Sequence, residues 1–422
     1  MPFCKVIGYM YPGIFPPEVG MVIEDNFNGT DLLVFRQLNS KIRDNFQEKW
    51  LDAFFTNRTH VYSYHGLRAL LDITKQPTLV REMKEITLCV LDLDHISAPR
   101  NNPGQFSKHQ KADGRKMLAA WGRQRRSLRR YDTETRFLQD IFFNLQKLGI
   151  IVSVRLADEW RDSGDAGNLL RKALGRDTVR TIGTPLDTAQ LVKGPCEGPA
   201  KTLLESLILT GYPIQQLDLA CPYDNTGLTC KSFDLSRRVL SNRGLAFAHL
   251  THLSIKFDPK LFVELPKDIA NVATCFRDLP RLRALDIGVA YDKGFMNLQG
   301  YIMPMLDCFP LHQIESLTLH GAYATAGEYI TMLDRARLSL ESLDMCGCDV
   351  TAFDCWSGVF RWAQGKMGVL RCLEVRDIGH VFRGIYEYGE KDSRPVCWDG
   401  LVKVSQGLRM LSDRPRYQPH EE

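Results

Sequence analysis

Residues 314–319 read Ile-Glu-Ser-Leu-Thr-Leu, and residues 340–345 read Leu-Glu-Ser-Leu-Asp-Met. Both follow one pattern, in which an apolar residue is followed by two others, a leucine, one other and a second apolar residue. The pattern occurs six times, at residues 214–219, 250–255, 282–287, 314–319, 340–345 and 370–375. The central leucines are 26 to 36 residues apart, and this spacing indicates an internal structural repeat.

Each repeat combines a short strand with a helix. Leu-x-Leu places two side chains on one face of a strand, because strand side chains alternate between faces. Between the strands, segments such as 327–336 and 356–364 carry apolar residues at three- and four-residue spacing, as helices do. One strand and one helix cannot bury their own apolar faces, so neighbouring units must stack.

The pattern resembles leucine-rich repeats in an irregular form. The resemblance implies an α/β fold, a solenoid with a curved parallel sheet on its inner side. Three earlier segments are candidates for further strands, at residues 86–88, 150–154 and 203–209. The alternative is an unrelated α/β fold built from βαβ units.

Composition narrows the range of functions. The 422 residues carry 54 Lys and Arg against 50 Asp and Glu, a formal charge of +4, which is too balanced for the whole chain to be a polyanion binder. No apolar run approaches the roughly 18 residues of a membrane span, and Met1–Lys5 does not open a signal peptide. The 12 scattered cysteines suit a reducing compartment. We therefore expect a cytoplasmic or nuclear protein with no membrane partner.

Charge is concentrated in one stretch. Residues 97–131 hold ten basic residues and a single acid, Asp113, which predicts an exposed, flexible insertion. It could be a solvated loop, a nuclear-import signal, or a contact to nucleic acid or an acidic partner. Trp121 and Tyr131 are the only aromatic residues near its arginine cluster, too few for a base-stacking platform, so we do not expect nucleic acid as a partner.

Residues 14–55 have no Leu-x-Leu and show three short helical signals instead. Pro16 and Glu18 suit the first turn of a helix, where a missing N–H costs nothing and an acid favours the positive end of the dipole. Apolar residues at 19, 22 and 23 form one stripe on that helix. Asp31 begins the second helix, and Ser40 is a candidate cap for the third.

The order and spacing of these residues resemble an F-box, whose motif runs Leu-Pro-x-Glu-Ile, then Ile, Leu, Asp-Leu, Val and an aromatic residue. The positions that correspond without gaps are Phe15, Pro16, Glu18, Val19, Ile23, Phe27, Asp31, Leu32, Leu33, Leu38 and Ile42. Phe15 and Phe27 replace leucines, Gly20 lies within the first helix, and Ile42 stands where an aromatic residue is usual. The rest of the chain resembles fungal F-box proteins with degenerate leucine-rich repeats.

The resemblance implies a partner, the Skp adaptor subunit of a cullin–RING ubiquitin ligase. The residues that it implies for adaptor binding are Phe15, Pro16, Glu18, Val19, Ile23, Phe27, Leu32, Leu33 and Leu38. A physical argument points the same way, because three short helices bury too little apolar surface to be stable alone and the solenoid can cover only one side of them. The alternative is that residues 14–55 are a helical cap on the first repeat.

Signals for catalysis are absent from the sequence. It contains no Gly-x-Gly-x-x-Gly after a strand, no phosphate-binding Gly-Lys-Ser/Thr, no Gly-x-Ser-x-Gly and no His-Glu-x-x-His. Cys346-Gly347-Cys348 has the wrong spacing for a pair of zinc ligands. We therefore predict no enzyme activity, no catalytic residue, no metal and no cofactor.

The middle residue of each Leu-x-Leu segment predicts a binding surface. It points away from the leucines, onto the exposed face of the sheet. These residues are Asp218, Ser254, Asp286, Thr318, Asp344 and Glu374. They should form one column that is acidic at four of six positions, suited to a basic or hydroxyl-rich segment of a protein target. Small polar residues that merely tolerate a crowded sheet face are the alternative.

These observations predict the organisation and function of the chain. We expect an F-box-like helical module at 14–55, a linker helix and first repeat strand at 56–96, the basic insertion at 97–131, a leucine-rich-repeat-like solenoid at 132–412 and a flexible tail at 413–422. The expected function is the substrate-recognition subunit of a Skp–cullin–F-box ubiquitin ligase, which binds an unknown target. A repeat scaffold without a ligase role is the main alternative, and a catalyst on an unfamiliar α/β frame is another.

Overall fold

A computed structural model describes the central and C-terminal parts of the chain. The described residues are Leu51, 55–92, 132–157, 192–193, 196–220, 227–258, 266–289, 303–350, 356–376, 378–380, 385–388 and 396–412. The predicted helical module at 14–55, apart from Leu51 and Phe55, lies outside them. The basic segment 97–131 and the tail 413–422 lie outside them as well.

The described strands number 16. In chain order they are β1 Asn57–Val61, β2 Glu85–Cys89, β3 Leu91–Asp92, β4 Ser153–Ala157, β5 Val192–Lys193, β6 Gln216–Leu219, β7 His252–Phe257, β8 Ala284–Val289, β9 Ser316–His320, β10 Tyr323–Ala324, β11 Ser342–Cys346, β12 Asp349–Val350, β13 Cys372–Arg376, β14 Ile378–His380, β15 Ile385–Tyr388 and β16 Val396–Asp399.

Eleven α-helices separate these strands within the described residues. They are α1 Tyr64–Thr74, α2 Pro77–Val80, α3 Thr133–Lys147, α4 Glu197–Thr210, α5 Arg237–Leu240, α6 Arg243–Phe247, α7 Pro266–Phe276, α8 Met303–Leu306, α9 Ala326–Ala336, α10 Trp356–Lys366 and α11 Leu401–Ser412. The two helical segments that the sequence predicts, 327–336 and 356–364, correspond to α9 and α10, and each helix begins within one residue of the predicted position.

The main sheet has ten strands, in the order β1-β2-β4-β6-β7-β8-β9-β11-β13-β16. Its first nine strands are parallel and follow chain order, and β16 closes the row antiparallel to β13. A four-stranded sheet, β10-β12-β14-β15, lies beyond the ends of β9, β11 and β13. The predicted α/β class with a mostly parallel sheet is therefore confirmed.

The core lies on the leucine side of the main sheet. The central leucines of the six repeats, Leu217, Leu253, Leu285, Leu317, Leu343 and Leu373, are all buried and pair in register across adjacent strands. Helices cover this side with buried aromatic residues such as Phe276, Tyr329 and Trp356. Each added unit therefore extends one continuous apolar layer, as stacking requires.

Two glycines allow the chain to leave the main sheet at the same point of successive units. Gly321 and Gly347 follow β9 and β11 with φ of +61° and +62°, a conformation that costs little only for glycine. Tyr329 on α9 ties the two turns together, since its buried hydroxyl donates to Ala322 O at 2.9 Å and contacts Asp349 O at 3.3 Å. Buried carbonyls in the turns are thereby satisfied.

The structure corrects one strand prediction. Residues 203–209 lie in helix α4, where Leu203, Leu204, Leu207 and Ile208 are buried. These residues are separated by one, three and one positions in sequence, which places them on one face of a helix. A short apolar run of this kind is compatible with either a helix or a strand. The main sheet also begins one strand earlier than predicted, because β1 pairs with β2 ahead of the expected first repeat strand.

In the described part of the chain, every helix is either too short or too polar to cross a lipid bilayer.

We predict that the in-register leucines carry much of the stability of the fold. Leu317→Ala, at a site with no exposed surface, should lower the free energy of unfolding by about 2–5 kcal/mol. The matched control is Leu338→Ala, because Leu338 is 80% exposed and its truncation should change stability by less than about 0.5 kcal/mol. Urea denaturation measures both, and equal effects would contradict the core described here.

Candidate binding face

The open side of the main sheet carries one continuous row of side chains. The six predicted residues, Asp218, Ser254, Asp286, Thr318, Asp344 and Glu374, are direct neighbours in register on adjacent strands. All six are half-buried, whereas the residues on either side of them in each strand are buried. At about 4.8 Å per strand the row is about 24 Å long. We call it the central row.

The central row continues beyond Asp218 to a residue that the sequence pattern did not single out. Arg155 on β4 is the register partner of Asp218, and its Nε lies 3.2 Å from Asp218 Oδ2. The sequence does contain a signal for Arg155. Val154-Arg155-Leu156 places a polar residue between two apolar ones, as the repeat strands do, but the segment lacks the apolar residue that begins the six-residue repeat pattern.

Asp286 is the centre of a small polar cluster in the row. Ser254 Oγ donates a hydrogen bond to Asp286 Oδ2 at 2.9 Å. His320 reaches the same carboxylate from β9, with Nε2 3.4 Å from Asp286 Oδ1. Gly288, two residues after Asp286 on β8, is the register partner of His320, and a Cβ atom there would come within 2.7 Å of His320 Cβ. The missing side chain at Gly288 therefore leaves the space that His320 occupies.

His320 is held in its charged form. Burial alone would lower its pKa, but hydrogen bonds to Asp286 and Cys346, together with the negative charge of Asp286, raise the pKa to about 9. At neutral pH the imidazole is therefore a cation on the sheet face.

A second cluster occupies the β11 and β13 end of the row. Arg376 lies between two acids, with one terminal nitrogen 3.4 Å from Asp344 Oδ2 and Nε 3.2 Å from Glu374 Oε1. Asp344 Oδ1 is buried and accepts no hydrogen bond. The pKa of Asp344 is raised, mainly by burial, although the charge of Arg376 opposes this shift.

Charge on the face is balanced rather than acidic. The four carboxylates of the central row are accompanied by Arg155, Arg376 and the charged His320, and Lys256 extends from β7 in the same flanking row as His320. The acidic column that the sequence predicts is present, but its electrostatic field is largely compensated by these cations. The pairs are partly exposed to solvent, so each contributes modestly to stability.

The predicted adaptor-binding residues lie outside the described residues. They are Phe15, Pro16, Glu18, Val19, Ile23, Phe27, Leu32, Leu33 and Leu38. Cys348, part of the Cys-Gly-Cys segment, is fully buried, and its thiol donates to Leu319 O at 3.5 Å. Among the residues described, no three His, Cys, Asp or Glu side chains converge in a way that could hold a metal ion.

Comparison with known proteins adds no family to this description, since the chain matches no protein-family model and no curated protein.

We predict that His320, which contacts Asp286, titrates well above the usual histidine range. Because the folded pKa of about 9 exceeds the ordinary 6.5, protonation of His320 stabilises the fold fully below pH 6.5, and this contribution is lost as the pH rises through 9. The melting temperature of the native chain should therefore fall more between pH 6.5 and 9 than that of His320→Gln. His252→Gln, at an exposed position at the start of β7, is the control and should behave like the native chain. Identical pH profiles for all three chains would contradict the pairing.

Proposed function

We propose that this chain is the substrate-recognition subunit of a Skp–cullin–F-box ubiquitin ligase. Residues 14–55 would dock on the Skp adaptor as an F-box, and residues 132–412 would form a leucine-rich-repeat-like solenoid that binds the target. The observation that carries the proposal is the gapless correspondence of residues 15–42 to the F-box motif, followed by strands that stack in chain order.

The described part of the chain supports a binding role for the sheet. Its helices take up the apolar core on one side and leave the other side of the sheet covered by half-buried polar side chains. A stack of parallel strands with one open face is the surface that repeat proteins use to bind partners. On that face the side chains form a row about 24 Å long, which matches an extended segment of about seven residues.

The pairing within the face indicates what kind of target would bind. Each carboxylate already has a cation or hydroxyl nearby, as Asp218 has Arg155 and Asp286 has Ser254. A hydroxyl-rich or basic segment could supply new donors to the carboxylates, and its own acceptors could pair with the cations and hydroxyls that it displaces. An apolar segment would leave these polar groups unpaired. Polar complementarity would then supply specificity more than affinity.

Catalysis would belong to the other subunits in this proposal. The chain would raise the effective concentration of target lysines near the ubiquitin carrier. A repeat scaffold without a ligase role uses the same sheet face, and it differs only in making no complex through residues 14–55.

We predict that the chain forms a complex with the Skp adaptor on co-expression. Pro16→Ala together with Leu32→Ala should weaken the complex at least tenfold, which corresponds to about 1.4 kcal/mol of lost contact. The matched control combines Pro77→Ala and Leu338→Ala, the same two changes at exposed positions outside the module. Co-purification and titration calorimetry measure the result. No complex with the native chain would favour the scaffold function.

We predict that reversing charge on the sheet face removes target binding and keeps adaptor binding. Asp286→Lys with Asp344→Lys places two cations beside His320 and Arg376, where they repel. Glu315→Lys with Glu341→Lys is the control, because both glutamates are exposed and lie just before β9 and β11, outside the central row. Affinity purification with quantitative mass spectrometry should show partners lost only from the first variant. Unchanged partners in a variant that still binds the adaptor would exclude the face.

A further inference from the structure

A pocket lies at the amino-terminal edge of the main sheet, on the side that the helices cover. It forms where α5 and α6 lead into β7, next to the turn between α7 and β8, and its volume is about 280 Å³. Its lining includes Leu240, Arg243, Phe247, Arg277, Asp278 and Leu279. The pocket is therefore separate from the open face that carries the central row.

The pocket has an apolar floor and few groups that can donate a hydrogen bond. Phe247 and Leu279 are buried, and Leu240 is half-buried against the same core. The Ser241 hydroxyl also lines the pocket, but it already donates to Arg238 O at 2.7 Å. Among the side chains that line the pocket, the two arginines therefore remain as donors to a ligand.

Both arginines can accept an anion. Arg277 is exposed, and its side chain makes no ion pair within the described part of the chain. Arg243 has one terminal nitrogen 3.4 Å from Asp278 Oδ2. Because the Asp278 side chain is 76% exposed, this pair contributes little, and another anion can displace the carboxylate at small cost.

The segments that form the pocket are strongly basic. Residues 237–249 and 277–283 hold six arginines against one acid, Asp278. A local excess of one sign of charge raises the concentration of oppositely charged ligands at the surface. The ligand that suits this pocket is therefore an anion, and the apolar floor favours an anion that carries an apolar group.

We propose that this pocket binds a phosphate monoester of an aromatic group. The phosphate carries about 1.5 to 2 negative charges at pH 7, which matches two guanidinium groups. Each guanidinium can donate two parallel hydrogen bonds to its oxygens. The phosphate replaces the Asp278 carboxylate at Arg243, and the aromatic ring packs against Phe247. The volume lies just below the roughly 300–1,000 Å³ of whole small-molecule sites, so it suits a single ring.

This proposal goes beyond the ubiquitin-ligase function and does not depend on it. The pocket uses neither the central row nor residues 14–55, so loss of adaptor or target binding would leave the proposal standing.

The test uses the full-length chain and phenyl phosphate as the probe, with titration calorimetry as the measurement. We expect phenyl phosphate to bind at least about tenfold more tightly than inorganic phosphate, because only the former buries a ring. A phosphotyrosine pentapeptide distinguishes two sources of the same group. Tighter binding of the peptide than of phenyl phosphate would identify a protein segment as the source, and weaker binding would identify a free small molecule.

Variants of the pocket should change the affinity for phenyl phosphate in opposite directions. Arg243→Gln and Arg277→Gln should each weaken binding about tenfold, since each removes a charged donor. Asp278→Asn should strengthen binding several-fold, because the competing carboxylate is gone and asparagine tolerates the left-handed φ of +65° at this position. Arg281→Gln is the matched control, an exposed arginine of the same basic segments that does not line the pocket.

Three results would overturn the proposal. Equal affinities for phenyl phosphate and inorganic phosphate would exclude a role for the apolar floor. Arg281→Gln as harmful as Arg243→Gln would indicate general attraction of anions rather than a site. Weaker binding by Asp278→Asn would show that the carboxylate does not compete with the ligand.

The native chain alone keeps the proposal testable if a variant does not fold. On addition of phenyl phosphate, hydrogen–deuterium exchange should slow in peptides that cover residues 237–249 and 277–283. Exchange in peptides that cover β11 and β13 should stay unchanged. No slowing in either pocket segment, or equal slowing in the strands, would contradict binding at this pocket.

Discussion

The structure depends on the register of parallel strands that bring one leucine per repeat into a single buried row. No unit of one strand and one helix has enough apolar contacts to fold alone. Leu285 and Leu317 illustrate the arrangement, because each lies directly beside the other across the ladder and neither has appreciable exposed surface. Any slip of one residue would move both side chains to the solvent face. Burial of the leucines therefore fixes the register of the strands, and this register in turn keeps the leucines buried.

The same register arranges the opposite face. Because the helices hold the core on one side, the other side is free to carry polar groups, and residues one position from the leucines fall into a row. Asp218 and Asp286 thereby meet cations from neighbouring strands, Arg155 and His320. The result is a polar surface whose charged side chains already form ion pairs with one another. Such a surface is suited to a ligand whose polar groups replace members of these pairs, rather than to one that is attracted by net charge.

The repeat pattern predicted the strands well because it reports a periodicity that the fold must satisfy. The spacing of Leu343 and Met345 fixes which side chains face inward, and the register then places Asp344 in the central row. The prediction was wrong for residues 203–209, a short apolar run that was a candidate strand and is helical in the structure. It could not foresee that Arg155 would pair with Asp218, since the two residues are distant in sequence and their strands lack a shared motif. Nor could it place His320 beside Asp286, which requires the space left by Gly288.

We propose that residues 14–55 bind the adaptor while the sheet face stays available to a target. Hydrogen–deuterium exchange of the full-length chain, with and without the Skp adaptor, tests it most directly. We expect slower exchange on adaptor addition in peptides from residues 14–42, with unchanged exchange in the strands that carry Asp286 and Asp344. Protection of those strands by the adaptor, or no protection anywhere, would contradict it.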